Sequence, residues 1–118
     1  MQITQCAQNR IYEIRGERVM LDKDVAVLYE TAIWDLNLTV KRNSRRFPEG
    51  FMFRLTREEF EELKFQIGNS DPYHKDLPYA FTEQGIAMLS GVLDSEKAVT
   101  MNIAVMKAYV EIGRTLFR

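Results

Sequence analysis

The residues best suited to chemistry in this sequence form one short basic segment. Within residues 40–48 (VKRNSRRFP), four of the nine side chains are cationic and none is acidic. Residues 41–57 hold six basic residues and one acid, a net charge of +5 in a chain whose formal net charge is −1. Cations clustered in an otherwise acidic chain are typical of a contact with nucleic-acid phosphates. The candidate phosphate ligands are Lys41, Arg42, Arg45 and Arg46. The cluster could instead serve its own helix, since cations near a helix C-terminus gain ~0.3–1 kcal/mol from the helix dipole.

Four further residues are candidates because of where the predicted elements place them. Asn37 and Asn43 lie on the same predicted helix as the cations, and an Asn side chain in the major groove can hydrogen-bond to adenine. Arg15 and Arg18 flank the tip of a predicted β-hairpin and could touch phosphate as a wing does. Each has a structural alternative: Asn43 could complete the last helical turn, and the two arginines could be solvated turn residues.

The remaining composition gives little support to catalysis or metal binding. The single histidine, His74, falls in a predicted loop, and the single cysteine, Cys6, falls near the start of the chain. The sequence therefore carries no His/Cys cluster or nucleophile motif, and we expect no enzymatic activity, no metal and no cofactor. It contains neither a signal-peptide h-region nor an apolar run of the ~20 residues that span a bilayer. We expect a cytoplasmic protein that does not contact a membrane.

The elements that position the basic segment can be predicted from turn residues and apolar spacing. Residues 11–14 and 18–21 are short apolar runs on either side of Gly16, and they predict a β-hairpin. Asp22 is predicted to cap a first helix of about two turns.

A second helix is predicted over residues 32–46, and Pro48 ends it by excluding the preceding residue from the helical region. The cations lie at the C-terminal end of this helix. Trp34 and Leu38 form an apolar pair on its outer side, which either packs within the domain or is buried by a partner.

The second half of the chain is predicted to add short strands and three helices. Thr56 and Glu59 form a capping box that starts one helix, and Thr82 is the predicted cap of another. Strand-like runs precede both caps at residues 51–55 and 79–81, and residues 68–78 predict an exposed loop.

The last helix is predicted from residue 95 to the end of the chain and is apolar on two sides. Such a helix must bury both sides, so one of them either faces the core or faces a second copy in a homodimer through residues 95–118. We expect this helix to lead into a C-terminal region.

These elements predict a single α+β domain over residues 11–118, preceded by a flexible tail at residues 1–10. With 46% hydrophobic and 28% charged residues, a chain of 118 residues can bury one core. The expected architecture resembles a small winged helix-turn-helix. It has an N-terminal hairpin, one or two further short strands and about five helices, the last one long.

Several ordered motifs then resemble one family. They are IRGERVMLD at residues 14–22, LY at 28–29, LN at 36–37, VKRN at 40–43, RFP at 46–48, FMF at 51–53 and LPYAFTEQGIAMLS at 77–90. Together they resemble the ORF-six N-terminal domain of phages and bacteria, a relative or companion of the KilA-N domain. The resemblance covers residues 11 to about 113.

The resemblance implies a DNA-binding module of phage antirepressor-type and prophage proteins, usually followed by a separate C-terminal region. It carries over no set of base contacts. The sequence departs from the family pattern at Glu30, where a Gly usually follows Leu-Tyr, and at residues 71–76 (DPYHKD), where relatives are often glycine-rich and basic. We expect no phosphate contact from that loop.

Two functional classes remain open at this point. The first is a regulatory module that binds double-stranded DNA. The second is a protein-interaction module that acts on a repressor protein without touching DNA, using the Glu-rich helix after Thr56 and the two-sided last helix.

Overall fold

The computed structural model describes residues 3–67, 77–93 and 95–116, and it shows an α+β fold. The described residues form six α-helices, one 3₁₀ turn and four strands. In chain order these are α1 Ile3–Gln8, β1 Ile11–Ile14, β2 Glu17–Leu21, α2 Asp22–Leu28, α3 Ile33–Arg42, the 3₁₀ turn Ser44–Arg46, β3 Met52–Arg54, α4 Arg57–Ile67, β4 Tyr79–Thr82, α5 Glu83–Leu89 and α6 Glu96–Leu116. The expected fold class, the N-terminal hairpin and the long last helix are confirmed. The predicted loop over residues 68–78, and with it His74, lies almost wholly outside the described residues.

The four strands form one antiparallel sheet in the order β1-β2-β4-β3. The hairpin turns through Arg15 and Gly16, which both have positive φ (58° and 73°), as a two-residue type I′ connection requires. Because β2 also pairs with β4, the hairpin is half of the sheet rather than a separate wing. The winged arrangement expected from the sequence is therefore not confirmed.

Side-chain alternation along the strands divides the core between the two faces of the sheet. Met20 and Phe81 lie on the face covered by α2, α3, α5 and α6. Val19, Leu21 and Ala80 lie on the opposite face, against the residues of α4. All five side chains are essentially fully buried, which stabilises each large one by ~1.5–3 kcal/mol relative to exposure. The α3 helix and its basic end therefore lie on the opposite side of the sheet from the acidic helix α4.

The N-terminal residues form a helix where a flexible tail was expected. Helix α1 packs against α6, and the side chain of Ala7 is completely buried. Cys6 is a free, half-buried thiol packed against the core, and Arg10 Nη1 lies 2.7 Å from Asp24 Oδ1. Six residues are too few for the periodicity signal that identified the longer helices, and the long helix α6 provides the surface that holds them.

The predicted caps are confirmed at two of three helices. Thr56 and Glu59 form the reciprocal capping box, with Thr56 N donating to Glu59 Oε1 (2.8 Å) and Glu59 N donating to Thr56 Oγ1 (3.1 Å). The hydroxyl of Thr82 accepts from Gly85 N at the start of α5. The prediction for Asp22 is wrong: it is the first residue of α2 rather than the cap, and its carboxylate is buried. None of the described helices combines the length and apolar character needed to cross a bilayer.

Candidate nucleic-acid interface

The basic segment is divided between two elements. Helix α3 ends at Arg42, because Asn43 leaves the helical region (φ −117°), and its Nδ2 donates to the carbonyl of Thr39 (2.8 Å), which also accepts from Asn43 N (3.2 Å). The chain then makes a 3₁₀ turn, Ser44–Arg46, before Phe47 enters the core. The prediction of one helix over residues 32–46 is therefore wrong after Arg42. Asn43 could have indicated this helix end from the sequence, since Asn favours helix ends by forming hydrogen bonds with local backbone groups.

The four basic residues of this segment are exposed. Their side chains make no hydrogen bond or ion pair with any described residue. Their situation differs from that of most other basic side chains in the described chain, six of which are held by carboxylates. The paired residues are Arg10, Arg15, Arg57, Lys64, Lys97 and Arg114. A cluster of charges left without protein partners is available for an anionic ligand.

Arg46 differs from its three neighbours in the segment. A Cβ built on Gly91 would stand 2.6 Å from Arg46 Nη1, so the guanidinium lies against the chain just after α5. A cation at this position faces the carbonyl end of that helix, where the dipole favours it. Lys41, Arg42 and Arg45 are exposed, and they are therefore the better candidates for contact with phosphate.

The two predicted asparagines are half-buried rather than exposed. Asn37 Nδ2 donates to the buried carboxylate of Asp22 at 3.3 Å, and Asn37 Oδ1 is buried without a hydrogen-bond partner. The amide of Asn43 is used to end α3. Both side chains therefore serve the packing of α3, and neither presents a free amide edge to a base.

The two hairpin arginines contact other parts of the fold, Arg15 through its guanidinium and Arg18 through its backbone carbonyl. Arg15 makes a bidentate pair with Glu59 (2.7 and 3.0 Å) and lies 4.2 Å from the centre of the Phe53 ring. The Arg15 guanidinium lowers the pKa of Glu59 to about 2. Arg18 is half-buried beside α6, where its carbonyl accepts from Tyr109 Oη (3.2 Å). No hydrogen bond or ion pair among the described residues joins either arginine to the basic segment.

A groove beside the cations adds an apolar part to this surface. It has a volume of about 520 Å³ and lies between α3, the 3₁₀ turn and strands β3 and β4. Its lining residues are Trp34, Asn37, Leu38, Val40, Lys41, Ser44, Phe47, Met52 and Tyr79. None of them carries a carboxylate. The four-residue spacing of Trp34 and Leu38 predicted that they form an apolar pair. No local sequence pattern predicted that Met52 of β3 and Tyr79 of β4 would line the same groove.

The family motif at residues 77–90 makes hydrogen bonds with the chain just after the basic segment. Thr82 Oγ1 lies 2.8 Å from the carbonyl oxygen of Gly50 and 3.1 Å from that of Phe51, and Thr82 N donates to Phe51 O. Gly85 permits this arrangement, because a Cβ there would overlap with the Phe51 carbonyl oxygen. Hydrogen bonds of Thr82, where β4 meets α5, therefore hold residues 50 and 51, which follow the 3₁₀ turn.

Helix α6 buries one of its two predicted apolar stripes and exposes most of the other, although Met106 of that second stripe packs against the core. Ala98 and Val105 are buried in the core, whereas Val99, Ile103 and Val110 are about half exposed (47%, 54% and 49%). The exposed stripe is the surface that would be covered in a homodimer, which remains a prediction.

The fold and the surface together define a small α+β module with one unpaired basic segment next to an apolar groove. The chain belongs to the ORF6N domain family, whose model matches residues 9–92. The match ends before α6, so it is shorter than the range of resemblance predicted from the sequence. Membership of this family suggests a phage-type regulatory module of the antirepressor kind. In the same comparisons, no curated protein and no solved structure matches the chain.

Proposed function

We propose that this ORF6N module binds double-stranded DNA through the outer face of α3 and the 3₁₀ turn. The observation that carries the proposal is the cluster of Lys41, Arg42 and Arg45, which are exposed and unpaired while six other cations of the described chain are paired. Phosphate neutralisation by Lys and Arg, with release of counterions, supplies most of the affinity in non-specific DNA binding. The proposed role is regulatory, and it assigns no catalytic step to any residue.

The dimensions of α3 suit the major groove. Helices α2 and α3 pack against each other and are joined by four residues, and we propose that they act as a helix-turn-helix pair. With ten residues, α3 is ~15 Å long, and the major groove is ~12 Å wide. If the first turns of α3 enter the groove, the cations at its far end meet the phosphates at the groove wall.

The salt dependence of DNA affinity tests this proposal. If Lys41, Arg42 and Arg45 each neutralise one phosphate, their combined replacement by Ala reduces the slope of log K against log salt by about 2.7. The matched control replaces Arg57, Lys97 and Arg114, three exposed cations in exposed ion pairs. The control removes the same net charge, so it should leave the slope nearly unchanged.

The result that contradicts the proposal is equally specific. Equal slopes in the two triple variants would show that net charge rather than this segment attracts DNA. A wild-type protein that shifts no duplex at low salt would leave only the second functional class.

The exposed stripe of α6 favours a second role in protein association. Val99, Ile103 and Val110 recur at spacings of four and seven residues, which is the a/d spacing of a coiled-coil seam. We propose that this stripe forms a homodimer, which would place two basic segments on one DNA duplex. Contact with a repressor protein is the alternative use of the same stripe, and it would appear as a hetero-complex formed by a chain that is monomeric alone.

A further inference from the structure

Two large apolar side chains on the outer face of α3 remain partly or largely exposed beside the groove. Trp34 is 69% exposed and Leu38 is 36% exposed, although both are large enough to contribute strongly to a core. They are four positions apart in the sequence and therefore lie next to each other on the helix surface. Lys41, three residues further along, lines the same groove.

This arrangement fits a ligand that is apolar at one point and anionic about two helical turns away. Lys41 is seven positions after Trp34, which corresponds to ~10 Å along the helix axis. The major groove of DNA offers both features, because the C5-methyl group of thymine lies on its floor and phosphates line its edges. The groove lining carries no carboxylate that would repel those phosphates.

We propose that Trp34 and Leu38 contact thymine C5-methyl groups, so that the domain prefers sites with thymine under the first turns of α3. The inference rests on the proposed DNA binding and adds to it the basis of sequence preference. Bidentate reading of adenine by Asn37 is opposed by its buried Oδ1 and by the bond from its Nδ2 to Asp22. Asp35 is exposed, but it lies ~100° around the helix from Trp34.

The test removes the methyl group from the DNA rather than the side chain from the protein. Affinity is measured for a duplex of alternating A and T and for the same duplex with deoxyuracil in place of every thymine. Deoxyuracil differs from thymine only by lacking the C5-methyl group. We expect the wild-type protein to bind the deoxyuracil duplex about fourfold more weakly for each methyl group that it covers in the thymine duplex, the factor that corresponds to burying one methyl-sized group.

Two controls assign the effect to these residues and to this group. A protein with Trp34→Ala and Leu38→Ala should bind both duplexes equally, and its melting temperature confirms that it is folded. In a duplex of alternating G and C, 5-methylcytosine carries a methyl group at the equivalent position, so cytosine methylation should strengthen binding by the wild-type protein only.

The outcomes separate the inference from the function on which it rests. Wild-type protein that binds the thymine and deoxyuracil duplexes equally would overturn the inference while leaving DNA binding intact, and the groove would then fit a protein partner. A double variant that keeps the wild-type preference would also overturn it, because other residues would be the source. Protein that binds no duplex at low salt would overturn both.

Discussion

Replacing Gly85 by Ala should destabilise the domain, although the change is of a kind that usually stabilises helices. Gly85 lies in the first turn of α5, and Gly→Ala inside a helix typically gains up to ~1 kcal/mol. The new Cβ would overlap with the carbonyl oxygen of Phe51. That oxygen cannot retreat freely, because it also accepts from Thr82 N. Overpacking of this kind costs ~1–3 kcal/mol, so we expect a net loss of up to about 2 kcal/mol.

Gly91→Ala provides a matched control for this prediction. Its Cβ would also stand close to another atom, but that atom is Nη1 at the flexible end of Arg46. The Arg46 side chain can move aside, so we expect the stability of this variant to be nearly unchanged. Urea unfolding of both variants measures the difference, and each kcal/mol should also lower the melting temperature by about 4 °C. A Gly85→Ala protein as stable as the wild type, or more stable, would refute the assigned close approach.

Three further predictions concern the helix turn, the hairpin and the last helix. Glu30 has positive φ (54°), and its exposed ion pair with Lys97 is worth little. Glu30→Gly should therefore raise the free energy of unfolding by about 0.5–1 kcal/mol, and a lower value in urea unfolding would contradict this. The pKa of Glu59 is lowered to about 2 by Arg15, so the pair stabilises the fold above about pH 4.5 and loses its effect as the pH falls toward 2. The difference in melting temperature between wild type and Glu59→Gln should shrink over that range, and a constant difference would count against the pair. Ile103→Asp should turn a dimer into a monomer in sedimentation with little change in melting temperature, whereas a wild-type monomer at micromolar concentration would rule out the dimer.

The family departure at Glu30 shows what sequence comparison can and cannot supply. The resemblance marked this position because relatives carry Gly there. The structure gives the reason: α2 ends in a Schellman motif, with Glu30 N donating to Val27 O and Thr31 N donating to Ala26 O. Such a motif places its C′ residue in the left-handed region that favours Gly. Local hydrogen bonding of this kind follows from residue types, so the sequence could indicate it.

The features that the sequence did not indicate depend on contacts between distant parts of the chain. The hairpin was predicted correctly, but its pairing with β4 joins segments about 60 residues apart, and no local pattern specifies that. Arg15 was predicted to be a solvated turn residue or a phosphate contact. Its ion pair with Glu59 was not predicted, because Glu59 is 44 residues away in the sequence. Asn37 was predicted to be exposed. Its hydrogen bond to the buried Asp22 carboxylate depends on how α2 packs against α3, which the sequence pattern does not specify. The basic segment was found because its charges are adjacent in the sequence.

Thr82, in the family motif at residues 77–90, is hydrogen-bonded to the chain that follows the basic segment. This contact predicts that a substitution in α5 affects DNA binding. Five residues separate the 3₁₀ turn from β3, and the buried side chain of Phe47 holds one end of them while the Phe51 carbonyl holds the other. We expect a shift of that carbonyl to pass along these five residues to the turn that carries Arg45. Gly85→Ala, measured at a temperature where it is fully folded, should bind DNA more weakly although Gly85 lies in α5, outside the proposed contact surface. Gly91→Ala displaces only the tip of Arg46, so it should keep wild-type affinity. If the Gly91 variant instead loses affinity and the Gly85 variant does not, Arg46 contacts DNA and the placement of Arg45 does not matter.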